Sequence, residues 1–162
     1  MITLGVDPSS SSTGFALLSN TKLVGIDVWR PKDREVFSGL YSLNKFLRSS
    51  WICTRFDSCS IEKISVVRNL NAVRRISYVE GVIGSFAYEE CSNVVQMNPT
   101  ESRKIVFGVG NINKDCVYHE IISKYSHVEF LKFNKGGSDQ SDAVVLGLAL
   151  QVRCGLRSPF LN

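Results

Sequence analysis

The sequence predicts an α/β protein built on one mixed five-stranded sheet flanked by helices. Three observations carry that expectation. Three strands crowd into the first 29 residues with short polar connections between them, as in an antiparallel meander. Two later strands are each reached through a helical stretch, which makes them crossover strands parallel to the first. A chain of 162 residues with 44% hydrophobic and 21% charged residues suits one domain, residues 1–162, with room for a single sheet and its covering helices.

The elements follow in order. Ile2, Leu4 and Val6 alternate with Thr3, Gly5 and Asp7, a period of two. A polar turn, PSSSS, leads to a returning strand that ends at Leu18. The turn Ser19-Asn20-Thr21-Lys22 then opens a third strand, Leu23 to Trp29. After Pro31, Val36, Leu40, Leu43 and Leu47 fall on one helix stripe. Ser60 to Val67 reads as the fourth strand, and Asn69 to Glu90 as a helix with the stripe Ala72, Ile76, Val79, Ile83 and Phe86. Gly81 and Gly84 lower its helix propensity and point to close packing by another backbone. Val94 to Met97 is a short strand, closed by Asn98-Pro99. A short helix bearing Arg103 and Lys104 follows, then the loop GVGNINK and a helix from Lys114 to Tyr125 with Val117, Ile121 and Tyr125 inward. The last helix starts near Ser138 and is apolar nearly all round from Ala143 to Leu150, so it is expected to be buried.

Composition narrows the function. Nineteen basic against 15 acidic residues give a net charge of +4, which permits an anionic partner. No apolar run approaches the roughly 20 residues that cross a bilayer, so no membrane partner is expected, and the N-terminus has no signal-peptide architecture. Cys53, Cys59, Cys91, Cys116 and Cys154 form no CxxC pair, and with only His119 and His127 there is no zinc-ligand spacing. Reduced thiols in a cytoplasm-like compartment are the expectation.

Four acids stand out. Asp7 closes an apolar strand, where a carboxylate is costly to place for stability alone. Strand ends of this kind carry chemistry in α/β folds. Glu62 lies inside another apolar stretch, where the plain alternative is an edge-strand surface residue. Asp139 and Asp142 are three apart at the start of the last helix and share one face. For them the alternatives are helix capping and a solvated first-turn acid. Converging carboxylates repel one another unless cations neutralise them. Acids without His or Cys prefer hard ions, Mg²⁺ or Mn²⁺, and two such ions can serve phosphodiester hydrolysis.

The segments GVDPSSSSTGFALL, SIEKISVVRN, RKIVFGVGNINK and SDQSDAVVLGLAL resemble, in the same order, those of RuvC-type Holliday junction resolvases of the RNase H-like superfamily. The resemblance implies an RNase H-like fold, a homodimer, and metal-dependent symmetric nicking of two opposed strands of a four-way DNA junction. Asp7 matches the family's first-strand aspartate, Glu62 its fourth-strand glutamate, and Asp139 and Asp142 the paired acids opening its last helix. Asp7 would bridge two Mg²⁺ ions, with the other three acids completing their shells and Mn²⁺ an allowed substitute. Arg103 and Lys114 fall where the family has basic residues near the DNA backbone. An Arg at the first keeps the charge but changes the donor geometry.

Further candidate phosphate contacts are Arg68, Arg74, Arg75, Lys104, Lys132 and Lys135. The helix from Asn69 to Glu90 is similar to the family's dimer helix, with Gly81, Gly84 and Ser85 as the interface; packing of the two glycines within one subunit is the alternative. The family often carries a stacking aromatic where this chain has Ser65, followed by Val66 and Val67, which cannot stack in that way. That departure leaves a broader RNase H-like nuclease, acting on flaps, forks or RNA–DNA hybrids, as the alternative function. The segment GVDPSSSSTG also resembles the first phosphate loop of actin- and sugar-kinase-like ATPases, but the chain is too short for their second lobe. A junction-binding protein that does not cut is disfavoured by the presence of all four acids. The resemblance allows a branch-migration motor as partner and places the protein in the cytoplasm, or in a host's cytoplasm if a virus encodes it.

Overall fold

The computed structural model describes all residues except Arg34, Ser50, Trp51, Cys53, Thr54, Ser65 to Arg68 and Asn162. Five strands form one sheet in the order β3-β2-β1-β4-β5. The strands are β1 (Ile2–Asp7), β2 (Thr13–Ser19), β3 (Lys22–Trp29), β4 (Ser58–Glu62) and β5 (Asn93–Met97). β1, β2 and β3 pair antiparallel, while β4 pairs parallel with β1 and β5 parallel with β4. The sheet is therefore mixed, as expected. The helices are α1 (Val36–Ser49), α2 (Leu70–Glu90), α3 (Pro99–Phe107), α4 (Lys114–Lys124) and α5 (Gly137–Arg153).

The fourth strand differs from the sequence expectation. It begins at Ser58 and ends at Glu62, so Lys63 and Ile64 are not strand residues, and the remainder of the expected span lies outside the described residues. The apolar run suggested a longer strand, but β5 offers partners only as far as Met97, which faces Glu62. Asn98 and Pro99 then turn the chain into α3, and proline supplies no amide for a ladder. Glu62 also lies on an interior strand between β1 and β5, not on an edge.

Alternation along the strands divides the core. Leu4, Val6, Phe15, Leu17, Cys59 and Ile61 pack on one face with the buried side chains of α1 and α2. Ala16 and Leu18 face the other way, into a cluster built around α5 and closed by Val106 of α3 and Val117 and Ile121 of α4. As its apolar run predicts, α5 is buried continuously from Gln140 to Gln151.

Two devices fix α5 on the sheet. A Cβ at Gly5 would collide with the backbone of Ala143 and Gly147, and one at Gly14 with the backbone of Asp139, so glycine lets the helix lie directly on β1 and β2. At the far end the Gln151 Nε2 donates to Thr3 Oγ1 (3.2 Å) and to the Leu18 carbonyl (3.3 Å). Its Oε1 accepts from the Thr21 amide at 2.6 Å. Asn20 and Thr21 take positive φ (47° and 64°), as a two-residue hairpin turn requires. Thr21, unfavourable there, is also held by the Tyr125 hydroxyl, which donates to its carbonyl at 2.8 Å.

Candidate active site

The sheet topology brings the acids together. Val6 of β1 is paired with Ile61 of β4, so the next residue of each strand, Asp7 and Glu62, emerges at the same end and on the same face. That face is the one covered by α5, because Gly5, two residues before Asp7, touches the helix. The Gly14–Asp139 contact then sets the N-terminal turn of α5 beside Asp7, which is paired with Gly14. One helical turn separates Asp139 from Asp142.

Their environments differ. Asp7 is only 7% exposed and Asp142 only 4%, whereas Glu62 and Asp139 are half-buried. Burial pushes the Asp7 carboxyl well above the usual carboxylate range, and the charges of Glu62, Asp142 and Asp139 push it further. Burial, then Asp142, pushes Glu62 up to about 7, although Lys114 and Arg103 oppose the shift. The site therefore holds more carboxylates than its local cations neutralise.

Among the described residues those cations are Arg103 and Lys114. Arg103 Nη2 lies 3.0 Å from Asp142 Oδ1 and Lys114 Nζ 2.8 Å from Asp142 Oδ2. Burial pulls the Lys114 ammonium down, but Asp142, Asp7 and Glu62 outweigh it and hold the group above its ordinary value. Arg103 is nearly buried and Lys114 half-exposed, so the first serves the carboxylates and the second can reach both site and solvent. Asp142 is thus an ion-paired buried acid and not a solvated first-turn residue. Asp139 does not cap α5 with its side chain: the N-cap is Gly136, with φ +93°, and it makes no side-chain cap bond.

Among the described residues, no three carboxylate, imidazole or thiol groups close on a single point, and both Asp142 oxygens are turned to cations. The donor set still fits a hard divalent ion. Its members are all carboxylates, and the burial and mutual repulsion that disfavour the charged forms of Asp7 and Glu62 are what such an ion would relieve.

The other basic candidates scatter. Lys104 and Arg74 are exposed on α3 and α2, away from the acids' ion pairs. Lys135 lines a cavity of about 470 Å³ together with Asp139 and Arg30. Arg68 and Ser65 lie outside the described residues. Gly81 and Ser85 are exposed and Gly84 half-buried, and among the described residues no atom beyond the helix's own backbone lies within 4 Å of a Cβ built on either glycine. Cys59 and Cys91 are buried, Cys116 and Cys154 exposed, and all four are free thiols. No helix among the described residues is long and apolar enough to cross a membrane.

Sequence reasoning missed Arg30. Its guanidinium donates to the Lys135 carbonyl and sits where a Cβ on Gly136 would be, so it braces the turn that carries Asp139. An arginine at the end of an outer strand gives no local signal of that role. The spacing role of Gly5 and Gly14 was also missed, although glycine inside a strand does mark close backbone approach.

The model of the family described as crossover junction endodeoxyribonuclease RuvC matches residues 3–150. Crossover junction endodeoxyribonuclease RuvC of Ehrlichia canis (strain Jake) is 27% identical over 152 residues, covering 91% of this chain and 94% of that protein. Its counterpart from Rickettsia akari (strain Hartford) is 27% identical over 158 residues, covering 94% and 98%. Among solved structures, T. thermophilus RuvC in complex with a Holliday junction substrate superposes with a TM-score of 0.78 at 18% identity, covering 98% of this chain and 99% of that one. The yeast mitochondrial Holliday junction resolvase gives 0.58 at 10% identity, covering 90% and 76%. These likenesses carry the fold.

Proposed function

This chain belongs to the RuvC family of crossover junction endodeoxyribonucleases, and from that membership we propose that it resolves four-way DNA junctions by nicking two opposed strands symmetrically. The single observation that carries the reading is the seating of Asp7, Glu62, Asp139 and Asp142 around one end of the sheet, with more negative charge than Arg103 and Lys114 offset.

Asp7, Glu62, Asp139 and Asp142 would hold divalent metal, Mg²⁺ first and Mn²⁺ as a substitute. When bound, two such ions supply an activated water and support for the leaving 3′-oxygen. The chain's own residues prepare for this. Gly5 and Gly14 bring α5 down onto β1 and β2 so that its acids stand beside Asp7. Arg103 fixes one oxygen of Asp142, and Lys114 holds the other while remaining accessible to a phosphate. Burial and the neighbouring acids push Glu62 up to about 7, so positive charge arriving at the site favours its carboxylate form.

The whole described chain serves this one site, as residues 1–162 forming one nuclease domain. A homodimer through α2 gives two sites related by a twofold axis, which suits two opposed strands. The open notch at Gly81 and Gly84 supports that interface. The same reading places the protein where genomic DNA lies, in a cytoplasm or a host's cytoplasm.

The test is nicking of a labelled mobile four-way junction with Mg²⁺ or chelator, beside matched duplex, flap, fork and RNA–DNA hybrid. Paired, metal-dependent cuts confined to the junction support resolution. Equal cutting of flaps and forks would replace it with a broader debranching nuclease, and cutting of the hybrid alone would overturn the substrate.

A further inference from the structure

On the sheet face opposite α5, a cleft of about 630 Å³ opens beside the end of β1. Its wall includes Ser10 and Ser11, which belong to the loop that leaves Asp7. Three residues of chain span at most about 10 Å, so the cleft lies within one or two nucleotides of a phosphate held at Asp7. That loop is ordered by its own bonds: the Ser9 amide donates to Thr13 Oγ1 at 3.2 Å, and Thr13 Oγ1 donates to the Ser9 carbonyl at 2.9 Å.

The chemistry of the cleft is two-sided. Trp29, Pro31, Val36, Leu40 and Val79 give it apolar surface, and Gly39 of α1 leaves part of it open. Two carboxylates on its rim are already engaged at the start of α1. Asp33 Oδ1 accepts from the Glu35 amide (3.0 Å) and Oδ2 from the Ser38 hydroxyl (2.8 Å). Glu35 accepts from the amides of Phe37 and Ser38. Two cations on the same rim are not engaged: among the described residues neither the Lys32 ammonium nor the Arg75 guanidinium has an ion-pair or hydrogen-bond partner. The Ser11 hydroxyl is engaged with Ser9 Oγ at 3.3 Å. An apolar slot of this size, with two cations on its rim, matches a base with its flanking phosphates.

We propose that this cleft receives one unpaired nucleotide of the substrate DNA, its base against Leu40 and Val79 and its phosphate between Lys32 and Arg75. The inference rests on the nuclease reading above and assigns that reading a base-holding pocket. Holding a base out of the stack near the cut would favour branch points, where unpairing costs least.

The experiment compares cleavage rates of junctions that carry an abasic residue at each position flanking the cut. Gly39→Leu fills the cleft from a helix that gains propensity, and Gly39→Ala fills it least, since among the described residues a Cβ there meets only Pro31, at 3.6 Å. Gly39→Leu should cut the intact junction about tenfold or more slowly, and Gly39→Ala, which fills less of the cleft, should slow it less. At one abasic position wild type and Gly39→Leu should cut at equal rates. Arg75→Ala, an exposed change, should slow cleavage and flatten its salt dependence. Wild-type rates for Gly39→Leu on the intact junction, or the same slowing at every abasic position, would overturn the pocket while leaving the nuclease reading intact. Failure of wild type to cut the intact junction would overturn both.

Discussion

Lys114 Nζ lies 2.8 Å from Asp142 Oδ2, so a half-exposed lysine from the start of α4 holds a buried acid from α5. Arg103 grips the other oxygen from α3. Three helices thus meet on one carboxylate, and the loss of either cation leaves buried negative charge. Arg103→Ala should lower junction cleavage by about a hundredfold, through mis-set Asp142, with little change in the salt dependence of binding. Lys104→Ala, exposed on the same helix, should do the reverse and reduce the slope of log affinity against log salt by about 1. Filter binding across salt concentrations, with single-turnover cleavage, separates the two.

Stability should fall as pH rises, in the absence of divalent metal. Asp7 and Glu62 both have folded-state pKa values raised above their ordinary ones, chiefly by burial and then by neighbouring acids. The folded state therefore binds these protons more tightly than the unfolded chain does. Their stabilisation is complete below the ordinary carboxylate range and is lost as pH rises through about 7, the Glu62 value. A loss of about 2 kcal/mol between pH 5 and pH 8 corresponds to about 4–8 °C in Tm. Mg²⁺ should restore Tm at pH 8, and Glu62→Gln should flatten the profile. A Tm that rises from pH 5 to pH 8 would contradict the charge excess.

The contact of Gly5 with Ala143 sets the height of α5 above the sheet. Gly5→Ala should destabilise the protein by about 2–3 kcal/mol, because the obstruction is backbone and cannot rotate away. Cleavage should fall further than stability, since Asp139 and Asp142 move with the helix. Thermal denaturation with cleavage below the transition reads both effects.

Gly84 offers the opposite case. Among the described residues beyond its own helix backbone, nothing lies within 4 Å of a Cβ built there. Gly84→Gln should gain about 1 kcal/mol of helix stability if the subunit stands alone. In sedimentation at micromolar concentration it should shift a dimer to monomer, with junction nicks losing their pairing. An undisturbed dimer would remove α2 as the interface.

Much of this was legible in the sequence because it is written in local periods. Alternation in Ile2 to Asp7 and the stripe Val79, Ile83 and Phe86 gave strand and helix faces that the structure keeps. Asp7 was legible because a carboxylate closing an apolar strand is out of place for stability alone, and parallel pairing of Val6 with Ile61 brings Glu62 beside it. Asp139 and Asp142 taken alone read equally as a cap and a solvated acid. What could not be read depends on tertiary partners. The apolar run after Glu62 suggested more strand, but β5 stops at Met97 and the pairing stops with it. The pairing of Arg103 with Asp142 was not legible, because an arginine gives no sign that its guanidinium will meet an acid 39 residues later. The bracing by Arg30 across 105 residues is of the same kind.

The most direct test of the central claim sets Asp7→Asn against wild type on one labelled four-way junction, measuring binding in chelator and single-turnover nicking in Mg²⁺. The substitution removes a buried charge from the site and leaves Arg103, Lys114 and the exposed cations in place. Binding should stay within about threefold while nicking falls by about a thousandfold or more. Nicking by Asp7→Asn at the wild-type rate would contradict the account, because the acid at the end of β1 would then not be part of the cutting site.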